Sequence, residues 1–150
     1  MVQKGIREHI EETGRVFEKF GLTPMQGRIM SYLANSDKPE ATFSELVDYF
    51  RASKSSISTS LNYLLSIKMI DYKTYASERK KYFFITEAFF RIYFGQLLED
   101  MQELKELCYK TVSMRSSGYP DVSEKILKWI ESANIFEGSI RSALGDISKL

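Results

Sequence analysis

The chain has very little of several residue types: one cysteine (Cys108), one histidine (His9) and three prolines in 150 residues. Cys108 falls in a helical pattern, which excludes an intramolecular disulfide and a thiolate metal cluster and suits a reducing compartment. No stretch approaches the ~18 consecutive apolar residues of a membrane span. Residues 4–19 are charged throughout, without the apolar segment of a secretory signal. A soluble, cytoplasmic protein with no membrane partner is expected. Also missing are a glycine-rich phosphate loop, an HExxH pair and any Cys–His couple. His9 stands beside Glu8, Glu11 and Glu12 on an amphipathic stretch and reads as a surface histidine. Glu11-Glu12 and Glu99-Asp100 read as solvated charge pairs. Neither an enzyme nor a cofactor is expected.

Charge of one sign is lacking overall, since the formal net charge is +1. It is not evenly spread. Residues 51–82 hold Arg51, Lys54, Lys68, Lys73, Arg79, Lys80 and Lys81 against only Asp71 and Glu78, a local charge of +5 that leaves −4 for the remainder. A basic block on an otherwise acidic chain is the electrostatic footprint of a polyanion site. The apolar fraction of 43% is ample for a packed core.

Periodicity and capping signals give the element order. Ile6, Ile10, Phe17 and Phe20 mark an amphipathic helix over residues 3–20, softened by Gly5 and Gly14. Thr23-Pro24-Met25-Gln26 opens a second helix with a capping box and Pro at its first position. Residues 35–41 break it. Thr42-Phe43-Ser44-Glu45 is a second box, opening a short helix that ends in a tight turn at Arg51-Ala52. Ser53 caps the next helix, to about residue 67. Residues 70–75 and 80–85, rich in aromatic and β-branched types, form a hairpin around Ala76-Ser77-Glu78-Arg79. Thr86 is expected to cap a long helix to residue 114, with a seam of Phe90, Phe94, Leu97, Met101, Leu104 and Cys108. Asp121-Val122-Ser123-Glu124 reads as a third box. It opens a helix stepping through Val122, Ile126, Trp129, Ala133, Phe136, Ile140, Ala143 and Ile147.

The helix over 53–67 carries the functional signal. With Ile57 at zero and ~100° per residue, Leu61 and Leu64 fall near ~40° and ~340°, while Asn62, Ser55 and Thr59 fall near ~140°, ~160° and ~200°. One face is apolar and the other is built of short hydrogen-bonding groups. Such a face enters a DNA major groove without steric or charge conflict. The candidate DNA contacts are Ser53, Lys54, Ser55, Ser56, Ser58, Thr59, Asn62 and Tyr63 from this helix, and Lys73, Arg79, Lys80 and Lys81 from the hairpin. An ordinary solvated helix is the bland alternative, although exposed helices favour Glu and Lys over serine. Lysines also protect edge strands.

The order helix, helix, reading helix, basic hairpin, long helix resembles the MarR superfamily of winged-helix regulators, most closely its GbsR-like branch. The resemblance rests on Gly27-Arg28-Ile29, on Ser53-Lys54-Ser55-Ser56-Ile57-Ser58 followed by Leu61 and Leu64, and on Arg79-Lys80-Lys81-Tyr82. It spans about residues 20–95. Ser55 and Asn62 depart from the Gly and Arg common there, and the wing turn lacks the usual Gly. The resemblance implies a mainly α fold with a small β-hairpin and a cytoplasmic, homodimeric transcriptional regulator. It would bind a pseudo-palindromic operator of double-stranded DNA through helix 53–67 and wing 70–85. The expected division is a dimerisation helix at 1–22, a winged helix at 23–85 and a helical dimerisation region at 86–150. Dimer contacts are expected at Ile6, Ile10, Phe17, Leu97, Met101, Leu104, Trp129, Phe136, Ile140 and Ile147. Phe83, Phe84, Phe89, Phe90, Tyr93 and Phe94 are core candidates, or an aromatic pocket for a small, quaternary-ammonium effector. The rival reading is a winged helix that serves only as a protein-interaction module.

Overall fold

A computed structural model describes residues 4–150, in the order α1 (Lys4–Glu18), α2 (Pro24–Asn35), β1 (Ala41–Thr42), α3 (Phe43–Phe50), α4 (Lys54–Ser66), β2 (Ile70–Thr74), β3 (Lys81–Ile85), α5 (Phe89–Met114) and α6 (Pro120–Ile147). The chain divides into two compact units, Met1–Phe89 and Phe90–Leu150.

The first unit is a winged helix with α1 docked on it. Thr23 and Thr42 each close a reciprocal capping box, with Gln26 and Glu45 respectively, as their spacing requires. Arg51 ends α3 in the left-handed conformation (φ 49°, ψ 37°), and this reversal turns the chain into α4. Ser53 accepts a hydrogen bond from the Ser56 N–H and starts α4. The fully enclosed side chains of Ile29, Leu46, Ile57, Leu64 and Ile70 meet in one core, closed by Leu33, Ala41, Leu61, Met69 and Phe83. Each such residue contributes about 1.5–3 kcal/mol of transfer free energy.

Gly27 explains how α1 and α2 lie so close. A Cβ there would stand 2.6 Å from the Gly14 carbonyl oxygen and 3.3 Å from the Phe17 Cβ. Gly14, which lowers helix propensity, thus sits at a close crossing. Glu11 accepts from the Arg28 Nε (2.8 Å) alongside it. Of the α1 residues expected at a dimer contact, Ile10 is buried within the protomer and Ile6 and Phe17 are half-buried.

The sheet has three strands in the order β1-β3-β2, all antiparallel, with Ala41 opposite Phe83 and Phe83 opposite Tyr72. The β1 strand was read as part of a break. Two residues are too short for an alternation pattern, so pairing with β3 is its only signature.

The second unit is α5 and α6 joined by residues 115–119. The Lys105 ammonium reaches Glu137 (2.7 Å) and the Asn134 side-chain oxygen (2.8 Å) on α6, and both charged side chains are largely enclosed. Leu98, Ile126 and Ile130 are buried.

Two expected caps take a different form. The Thr86 hydroxyl accepts from the Ala88 N–H (3.3 Å) ahead of the helix and also donates to the Lys68 carbonyl (2.6 Å), tying the end of β3 to the α4–β2 connection, and α5 begins at Phe89. Pro120 occupies the first position of α6 with its φ preset, and Tyr119 precedes it without a side-chain cap. Asp121 therefore lies inside the first turn, where its carboxylate faces the positive end of the helix dipole. Within the protomer the expected seam of each long helix divides between an enclosed row and an exposed one. On α5, Leu98 is buried and Phe94, Leu97, Met101, Lys105 and Cys108 are half-buried, whereas Phe90 and Leu104 are exposed. On α6 the enclosed stripe is Ile126, Ile130, Ala133, Glu137, Ile140, Leu144 and Ile147, while Val122, Trp129, Phe136 and Ala143 are exposed. The enclosed stripe on α6 keeps the heptad stepping throughout: the row of Ile126, Ala133, Ile140 and Ile147 is shared with the expected seam, and its enclosed companion row is Ile130, Glu137 and Leu144 rather than Val122, Trp129, Phe136 and Ala143.

Candidate nucleic-acid interface

The helix-turn-helix pair α3–α4 presents α4 with its apolar side inward. Ile57, Ser60, Leu61 and Leu64 are buried, whereas Ser53, Lys54, Ser55, Thr59, Asn62 and Tyr63 are exposed and Ser56 and Ser58 are half-buried. The exposed side carries hydroxyls, one amide, one phenol and one ammonium. It carries no carboxylate, so nothing on it repels a polyanion.

The wing stands next to that side. Every residue from 71 to 81 is exposed. Thr42, Phe43 and Ser44 at the start of α3, Ser58 and Asn62 of α4, and Arg79, Lys80 and Lys81 of the wing line one open cleft of about 350 Å³. The structure thus brings together the α4 amide and three wing cations, which are separate in sequence. Among the described residues Lys54, Arg79 and Lys80 pair with no carboxylate. The Lys81 ammonium lies 4.1 Å from the centre of the Tyr72 ring, a cation–π contact that holds it on the cleft side of the sheet. Thr42 and Ser44 were absent from the sequence-based set. The capping box was a visible sign of the helix start, but its position beside the wing tip depends on β1 pairing with β3.

Lys73 is not brought to this cleft. Strand alternation puts it on the opposite face of the sheet from Lys81. Its ammonium sits 2.5 Å from the Glu40 carboxylate. That bond pulls the Glu40 carboxyl below, and pushes the Lys73 ammonium above, their ordinary values. On the same face the Tyr82 hydroxyl donates to Glu78, which raises its pKa to about 12. The aromatic candidates have several surroundings. Phe83 is in the core, Phe84 lies near Lys73, Phe89 packs edge-on against Phe17 and Phe20, and Phe90 stacks on Phe94 at 6.2 Å. No helix among the described residues is long and apolar enough to cross a membrane.

Residues 20–74 match the MarR family. A crystal structure described as a transcriptional regulator superposes with a TM-score of 0.74 at 25% identity, covering 97% of this chain and 99% of the other. The chain as a whole shares its fold with that regulator, and the likeness to the MarR family is confined to residues 20–74. The sequence is also similar to the HTH-type transcriptional regulator MmpR5 of Mycobacterium tuberculosis, 26% identical over 144 residues, 96% of this chain and 87% of the relative. The MarR match covers α2, the helix-turn-helix and the first wing strand, and stops before Arg79. The cationic wing tip therefore lies outside the matched residues.

Proposed function

We propose that this chain is a DNA-binding transcriptional regulator of the MarR superfamily that acts as a homodimer, with α4 in the major groove and the wing on the phosphates. One observation carries the reading. Ser58 and Asn62, at the edge of the acid-free polar face of α4, line the same open cleft as the cations Arg79, Lys80 and Lys81, a combination whose chemistry suits a groove edge and its phosphate rail. The similar proteins MmpR5 and the superposed crystal structure are both described as transcriptional regulators, which supports a regulatory rather than an enzymatic role. The exposed apolar residues Leu104, Trp129 and Phe136 support a second copy as the cover of the helical unit. Two-fold symmetry then calls for a pseudo-palindromic operator with half-sites about one turn, ~34 Å, apart.

Salt dependence on duplex DNA tests this reading. Lys54, Arg79, Lys80 and Lys81 give four phosphate contacts per protomer and eight per dimer, so the log–log slope of affinity against salt should be about −7. A shallow slope, as expected of a winged helix used only for protein docking, would refute it. The GbsR-like placement rests on the resemblance of the α4 and wing motifs, and repression and a quaternary-ammonium effector are carried over from that resemblance alone. An operator affinity unmoved by choline-type osmolytes would remove the effector from the proposal.

A further inference from the structure

The outer face of the wing, turned away from the cleft, carries a cluster that the proposed DNA contacts do not use. Glu40 lies between Pro39 and the first residue of β1, and its side chain is only 15% exposed. Its carboxylate forms an ion pair with the Lys73 ammonium (2.5 Å) through one oxygen and accepts from the Tyr75 hydroxyl (2.7 Å) through the other. Since β3 lies between β1 and β2, this one side chain reaches across the middle strand to the far one. The last paired residues before the turn are Thr74 and Lys81, so the two groups it holds flank the point where the hairpin becomes a free tip. The Tyr75 ring packs edge-on against Tyr82 at 4.9 Å, and Tyr82 in turn donates to Glu78 inside the tip. The Lys73 ammonium also stands over the Tyr75 and Phe84 rings, at 5.4 and 6.0 Å. A carboxylate fixed at one sheet edge is thus linked, through two rings, to the segment bearing Arg79 and Lys80.

We infer that Glu40 is a positioning residue for DNA binding: by clasping Lys73 and Tyr75 it sets the angle at which the wing tip presents Arg79 and Lys80, and it withdraws Lys73 from the phosphate contacts. The inference rests on the DNA-binding reading above. It makes an uncommon prediction of sign. Glu40 is an acid in a unit that would face a polyanion, so electrostatics alone says that removing it strengthens binding and frees a lysine. Positioning says that removing it weakens binding, because the tip cations lose the orientation in which their contacts form.

The test measures affinity of the full chain for random-sequence duplex across a salt series. Glu40→Ala should weaken binding about tenfold, equivalent to ~1.4 kcal/mol. Glu40→Gln keeps a neutral acceptor for Tyr75 and Lys73 and should recover much of that loss. Tyr75→Phe, which deletes a single hydroxyl and leaves the ring packing, should weaken binding in the same direction by a smaller factor. Lys73→Ala should leave the salt slope at the parent value, whereas a phosphate-binding lysine would flatten it by about one. In an Arg79→Ala/Lys80→Ala background Glu40→Ala should have no further effect, a result that a general loss of stability would not produce. Binding by Glu40→Ala at or above the parent affinity, or an equal loss in the background lacking the tip cations, would overturn the inference. In that case the parent would still bind duplex with its steep slope. A parent that binds no duplex would instead bring down the functional proposal itself.

Discussion

The two units handle their apolar side chains in opposite ways. Up to Phe89, aliphatic residues of five elements close over one another, and few large aliphatic side chains, Val16 and Ile85 among them, are left outside. From Phe90 onward only Leu98, Ile126 and Ile130 are fully enclosed, while Leu104, Leu107, Met114, Leu127, Trp129, Ile135 and Phe136 face outward. The first unit has a core of its own. The second is a pair of helices that leaves these side chains uncovered by each other, and on the proposed reading a second copy covers them. Reading and assembly are therefore separable properties of the chain.

The strongest way to break that contrast is to charge the outer stripe of α6. Trp129→Glu together with Phe136→Glu should raise the dimer dissociation constant by about a thousandfold, the ~4 kcal/mol typical of lost aromatic anchors. Sedimentation would show monomers, while the amide spectrum of the winged helix stayed folded. A dimer that survived both changes would mean that the outward stripe is not what a second copy covers.

Inside the first unit the expected effect is smaller and of a different kind. Ile57→Ala should cost about 3 kcal/mol in denaturant unfolding, the usual range for emptying a packed site. Gly27→Ala should cost about 1–3 kcal/mol, because α1 must move off the Gly14 carbonyl before a methyl fits. Neither change should alter the dimer constant by more than a small factor. If the Gly27 variant also dissociated, docking of α1 and assembly of the dimer would be one event.

Legibility in the sequence followed the same division. Capping boxes at Thr23 and Thr42, the Ser53 cap and the alternating hairpin state their structures locally, within four or five residues, and each forms as read. The inward and outward sides of α4 follow from a single wheel, because a thirteen-residue helix drifts little. The seams of α5 and α6 could not be read so simply. Each helix carries apolar residues on two neighbouring heptad rows, so spacing alone does not say which row the partner helix covers, and a lysine–glutamate pair occupies the enclosed face where a hydrophobic pattern expects leucine. At the candidate site, the helix residues and the tip cations were visible as composition. The Lys73–Glu40 bond was not, since it joins residues 33 apart through a two-residue strand with no signature of its own.

Within the reading surface, the comparison sharpens into positions that specify and positions that attract. Asn62→Ala should change which base pair is preferred at one operator position, by about 1–3 kcal/mol, with the salt slope intact. Arg79→Ala should lower affinity for every duplex and reduce the slope by about one per protomer. Competition between operator and random duplex separates the two. Identical behaviour in both variants would mean that α4 does not read base edges.

The smallest effect concerns pH, and the wing's outer face sets its window. The Lys73 bond first, and then the Tyr75 bond, hold the Glu40 carboxyl below its ordinary 4.5. Its contribution is therefore complete above that value and is lost only as pH falls through the depressed one. Tyr82 works in the other direction. Its bond to Glu78 raises the phenol from 10.0 to about 12, so its contribution is complete below 10 and disappears as pH rises through about 12. Both groups are half-buried at the edge of the sheet, in reach of solvent and salt, so global stability should barely respond. The ring-carbon resonance of Tyr82 should nevertheless be among the last tyrosine signals to titrate, and Glu78→Gln should bring it back toward 10. A Tyr82 that titrates near 10 in the parent would mean that the tip is not tied to its own strand, and the chain of contacts from Glu40 to Arg79 would then end at Tyr75.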